Sequence, residues 1–172
     1  MDRELNDFLS ARLSFLRKDE SAHAQEHSIE VQLPFLQRVV GDFSFTPISL
    51  AHLTREESSE LGAAIAEFVE ARSQPRAVIL ASSDLSHYLS PKETDELDHL
   101  ALQKVLAQDP EELSSTVEAK NITMCGVVPT AVLLFAANRL GAKRPRLLKH
   151  CHSGDVSPMR KVVGYASVAF ER

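Results

Sequence analysis

Val78-Ile79-Leu80-Ala81-Ser82-Ser83-Asp84-Leu85-Ser86-His87-Tyr88 decides how the fold is read. An uncharged apolar run with β-branched residues reads as a strand buried on both faces, as in a parallel sheet. It ends in two small hydroxyl residues, a carboxylate and, three positions later, a histidine. Open α/β sheets place their ligands just beyond the carboxyl ends of such strands, so Asp84 and His87 stand where chemistry is expected. The competing reading is that Ser82, Ser83 and Asp84 only cap the next helix.

The flanking periodicities extend this pattern. Apolar residues at helical spacing predict helices over residues 2–17 and 27–40, the second interrupted by Pro34. Residues 43–50 alternate as a strand. Thr54-Arg55-Glu56-Glu57 is a capping box that opens a helix closed by Arg72-Ser73-Gln74-Pro75. Strand, helix and strand in this order predict a right-handed βαβ unit. Beyond His87, helices are expected over 90–108, 109–120 and 126–140, the last being the most apolar and stopped by Gly141. Strands over 145–152 and 161–171 close the chain. The expected fold is α/β: a mixed, mainly parallel sheet of about four strands flanked by helices, with the Val78 strand central. A sheet that small leaves several helix faces uncovered.

With 172 residues, the chain suits a single domain that buries about 70% of its unfolded surface. A net charge of −5 with scattered basic residues argues against nucleic acid as a partner. No apolar run has the length of a membrane span, and the charged start Met1-Asp2-Arg3-Glu4 does not resemble a signal peptide. Two distant cysteines suggest reduced thiols, and a cytoplasmic location is the expectation.

Four places hold candidate functional residues: Glu26-His27, Asp84 with His87, Cys125, and His150 with His152 about Cys151. A thiol at a helix N-terminus feels the positive dipole end, which favours thiolate, the nucleophile and metal ligand. Cys125 precedes the apolar helix and so has that setting; the alternative is a small buried hydrophobe. The two strand histidines share one face, a weak signal that surface residues also produce.

Four segments together resemble the Memo-like family, also called the B component of the AmmeMemoRadiSam grouping. They are Glu26-His27-Ser28-Ile29-Glu30-Val31-Gln32-Leu33-Pro34-Phe35-Leu36, Ser82-Ser83-Asp84-Leu85-Ser86-His87-Tyr88, Thr123-Met124-Cys125-Gly126 and Val163-Gly164-Tyr165-Ala166-Ser167. The resemblance runs from about residue 20 to the C-terminus. It implies a fold shared with the class III, LigB-like extradiol dioxygenases, and iron or copper as cofactor. In the family a cysteine joins two histidines of the N-terminal half in the metal pocket. The resemblance places Cys125 as that metal ligand, with His87 and Asp84 as the acid/base pair. The resemblance also implies that Glu26 and His27 line the same cleft, and Glu26, His27 and Ser83 are its expected ligand-binding residues. The family's H-A-G-[YF] and [PG]-[ST/N]-H segments are absent, so the chain resembles the C-terminal three-fifths of such a protein and lacks two expected ligands.

Three functional expectations follow. The first is a subunit whose pocket is completed by its own copy or by an N-terminal half on another chain. The second is a non-catalytic peptide- or small-ligand-binding module. The third is a metal-dependent, dioxygenase-like enzyme holding its metal through His27, His87 and Cys125. Without the missing ligands, no metal is expected.

Overall fold

The computed structural model describes residues 3–72 and 77–171 and shows an α/β architecture. Among the described residues there are six α-helices and three strands. The helices are α1 (Arg3–Arg12), α2 (Leu33–Val40), α3 (Arg55–Ala71), α4 (Pro91–Leu106), α5 (Pro110–Ala119) and α6 (Val127–Arg139). The strands are β1 (His87–Leu89), β2 (Lys143–His152) and β3 (Val162–Glu171), in the order β1-β3-β2.

Helix boundaries follow local chemistry. Thr54 accepts from Glu57 N while Glu57 returns a bond to Thr54 N, and Ser90 with Glu93 repeats the arrangement at α4. Pro34 does not kink a helix. It occupies the first turn of α2, where its missing N–H costs nothing, and a short 3₁₀ turn (Glu30–Gln32) precedes it. Helix α3 ends at Ala71; Ser73, Gln74 and Pro75 of its expected stop lie outside the described residues. Helix α5 closes with Asn121 at φ 51° and a bond from Ile122 N to Val117 O of 2.9 Å, a Schellman-type stop in which asparagine tolerates the left-handed conformation. That stop aims residues 121–126 back toward β1.

Among the described residues every strand pairing is antiparallel, which corrects the expected mainly parallel sheet. Residues 77–84 pair with no strand, and only Leu85 and Ser86 bond to β3 just ahead of β1, so the Val78 segment is not a central strand. Val78 is 89% exposed and Leu80 56%. Residues 43–50 also form no strand, so the βαβ unit is absent. Apolar patterning reports what a segment is able to bury, and among the described residues no strand lies alongside to bury it. The last two strands are as expected, with β2 beginning two residues early.

Two apolar clusters hold the structure. One gathers Leu85, Leu102, Val105, Leu113, Ile122 and Leu134; the other gathers Leu9, Leu13, Leu61, Ile65 and Val132. Helix α6 contributes to both, so it is buried on two sides, as its composition requires. At the α3–α6 crossing, a Cβ on Gly62 would lie 2.7 Å from Phe135 Cβ and 2.8 Å from Val132 O. Gly62→Ala is therefore expected to cost about 1–3 kcal/mol through overpacking, despite alanine's better helix propensity. Thermal unfolding of the variant checks this, and an unchanged midpoint contradicts it.

Candidate metal and ligand site

The site forms where residues 82–87 pass the loop before α6. Among the described residues, one ligand atom each from Asp84, His87 and Cys125 lie within 4.8 Å of one another. Glycine is required at 126: a Cβ there would collide with the Ser83 side chain. Ser83 Oγ accepts from Gly126 N at 2.8 Å and donates to Asp84 O at 2.6 Å. Asp84 N donates to Cys125 Sγ at 3.3 Å. The start of α6 and the Ser83–Asp84 turn are thus fastened together, with the exposed Cys125 sulfur on the join.

His87 is held by Thr123 twice. His87 N donates to Thr123 Oγ1 at 2.7 Å, and ring Nδ1 lies 2.7 Å from Thr123 O. A carbonyl only accepts, so Nδ1 carries a proton, and in the neutral ring Nε2 is the nitrogen left to act as a metal ligand or base. Nε2 lies 3.4 Å from Asp84 Oδ2. Tyr88, next to His87, sits at φ 60°, a conformation strained for a bulky residue, where the β1–β3 register shifts. Its ring is largely exposed beside that of His87.

Behind this turn lies a buried polar group. Asp98 of α4 is fully enclosed; Oδ1 accepts from Ser86 N at 2.9 Å, and Oδ2 accepts from His150 Nε2 at 3.0 Å. His150 is thus half-buried and partnered, which corrects its reading as a surface strand histidine. Tyr165, opposite Cys151 in the β2–β3 ladder, has its phenol pKa raised by burial first, then by Asp84, Cys151 and Tyr88. It remains a hydroxyl donor at neutral pH.

Glu26 and His27 are placed elsewhere. They line an open cleft of about 600 Å³ with His23, Glu30, Leu33 and Phe45; Ser83, Asp84, His87 and Cys125 are not among its lining residues. His27 Nδ1 is 3.2 Å from Glu30 Oε2, and the ring is exposed. Burial raises the Glu26 pKa, but bonds from Ser28 and Ile29 outweigh it and hold the carboxyl below the usual range. The cleft's segment touches the segment that carries the site through Gln32 Nε2, which donates to Ser82 Oγ at 3.1 Å. Of the six expected site residues, the structure brings together Ser83, Asp84, His87 and Cys125. Thr123 and Asp98 were missed as supports. Thr123 stood inside a quoted motif, whereas Asp98 has no sequence signal beyond its place on a helix.

The sequence profile of the Memo-like protein family matches residues 1–169. The chain belongs to the Memo-like family. The match takes in α1, ahead of the residue 20 from which the motifs were legible. A MEMO1 family protein of Methanopyrus kandleri is 38% identical over 174 residues, covering 100% of this chain and 61% of that protein. One from Methanosarcina acetivorans is 40% identical, with 99% and 64% covered; one from Ignicoccus hospitalis is 42% identical, with 98% and 59% covered. The chain spans about three-fifths of the length of the curated relatives it matches. Among the described residues, no helix is long and apolar enough to cross a membrane.

Cys125 is exposed and faces polar groups, whereas Cys151 is half-buried in a strand. Iodoacetamide is therefore expected to modify Cys125 first, read by peptide mass mapping, with His87→Ala changing its rate. Faster labelling of Cys151 contradicts the geometry.

Proposed function

We propose that this Memo-like chain carries part of a pocket for a transition metal, or for a small ligand held through one, and that another polypeptide completes the pocket. The observation that carries the reading is the convergence of a thiol, an imidazole whose Nε2 faces the group and a carboxylate, the thiol reaching Asp84 from 41 residues away. Mixed sulfur, nitrogen and oxygen donors suit zinc, copper(I) or iron, and the metal when bound supplies Lewis acidity or redox capacity. Ligands of a tetrahedral metal stand about 3.3–3.8 Å apart given bond lengths near 2.0–2.3 Å. The 4.8 Å spread of this group needs only a small contraction, so the residues fit.

In this reading Cys125 and His87 are the principal ligands. Asp84 takes a third position or shares a proton with His87. Ser83 keeps the join closed, and Glu26 and His27 meet the distal part of a bound ligand from the neighbouring cleft. Dioxygenase-like chemistry is the narrower form of the reading, and non-catalytic ligand binding is the form without proton transfer. Completion by a further polypeptide, a second copy or an N-terminal half, is supported by the exposure of Cys125 at the site. The outward apolar residues Phe35, Val39 and Val78 agree with it.

Titration with Co²⁺ tests the pocket. A thiolate-to-metal absorption band is expected in the parent chain, lost in Cys125→Ser, with affinity at least about tenfold weaker in His87→Ala. Absence of that band overturns the metal reading. Light scattering on the cobalt-loaded chain reads completion by a second copy: a dimer supports it, and a strict monomer removes it.

A further inference from the structure

We propose that Asp98 is a positioning residue for the Asp84–His87 turn, acting through the backbone of Ser86 and held in place by His150. The inference rests on reading that turn as part of a metal pocket. The need for Asp98 arises in the ladder itself. Leu85 N donates to Gly164 O, and Gly164 N donates to Ser86 O, both at 2.9 Å. Two successive residues thus share one partner, and the doubling leaves Ser86 N without a ladder carbonyl. Asp98 Oδ1 accepts that N–H at 2.9 Å, on the residue just before His87 and two beyond Asp84.

Three further observations show that the arrangement is built for this contact. The Asp98 side chain has no exposed surface, and its second oxygen accepts from His150 Nε2 at 3.0 Å. Residue 164 is glycine where any Cβ would run into the Asp98 carboxyl group, so β3 yields its side chain to let Asp98 reach the turn. The hydroxyls of Ser86 and Thr94 are also fully buried and have no hydrogen-bond partner among the described residues. Burying this much polarity for stability alone is unfavourable, since an apolar replacement of similar volume is commonly at least as stable. What the carboxyl group adds is a fixed geometry for the backbone between two candidate ligands, and supports of this kind typically govern metal affinity by 10–100-fold.

The experiment compares Asp98→Ala, Asp98→Asn and His150→Gln in the full chain, with Co²⁺ as the probe. Asn keeps an oxygen for Ser86 N, and its amide is able to donate to the other tautomer of His150. Expected is at least about a tenfold loss of Co²⁺ affinity in Asp98→Ala and less than about threefold in Asp98→Asn. The affinity loss in His150→Gln is expected to fall between the two. Affinity of the folded fraction is read beside thermal unfolding, because a merely structural role lowers the melting midpoint without changing affinity. A folded Asp98→Ala with parent affinity overturns the proposal. If Asp98→Ala does not fold, the other two decide: equal affinity in the parent and in His150→Gln, together with a tenfold loss in Asp98→Asn, overturns it.

A second readout needs no metal. Asp84 N donates to Cys125 Sγ, so displacement of the turn changes the iodoacetamide rate at Cys125 by more than about threefold in Asp98→Ala, with rescue in Asp98→Asn. If the parent chain takes up no Co²⁺, the metal reading fails by itself. The labelling rates then still decide the positioning role, and equal rates in all variants overturn it.

Discussion

Helix α6 is buried on two sides at once, with Val132 in the cluster of α1 and α3 and Leu134 in the cluster of α4 and α5. A helix used that way has no freedom to slide or rotate, because either motion opens a void in one core or the other. Its N-terminus is therefore a fixed point, and the candidate site is assembled from that point outward. Gly126 lies against Ser83, Cys125 is carried to Asp84, and Thr123 reaches the His87 backbone and ring. The Schellman-type stop of α5 brings the chain to that fixed point from the other side.

Apolar surface is distributed unevenly about this frame. The faces of α4, α5 and α6 toward each other and β3 are closed, while α2 buries none of its residues. Val31, Phe35 and Val39 recur every four residues along one exposed face, and Val78 and Leu80 stand out from a segment composed like a strand. Scattered exposed hydrophobes are ordinary on a monomer, but a helical stripe and a strand-like run together are not.

Much of the helical structure was legible because its signals are local. Thr54 and Ser90 announce capping boxes, Gly141 adopts the positive φ expected of a helix stop, and the run before Arg139 is too apolar for anything but a buried helix. The sheet was not legible in the same way, since a strand needs a neighbour. Residues 78–81 carry the composition of a buried parallel strand and have no such neighbour among the described residues. Asp84, His87, Ser83 and Cys125 stood out as residues able to do chemistry, and the fold gathers them. Asp98 and the partnered state of His150 were not legible, because their meaning comes from a bond across 52 residues that no spacing encodes.

The candidate site has two supports with different origins. The loop before α6 supplies the thiol and, through Thr123, the tautomer and orientation of the imidazole, so Cys125 and His87 are set by one element. Asp84 is set by another: its amide meets the sulfur, but the backbone that carries it is held from behind by Asp98 and by the doubled pairing at Gly164. A disturbance of the loop moves two donors together and preserves their relation. A disturbance behind the turn acts on the Ser86 backbone and so on Asp84 and His87 alike. The enclosed polar group beneath the turn is accordingly where distant packing acts on the candidate site.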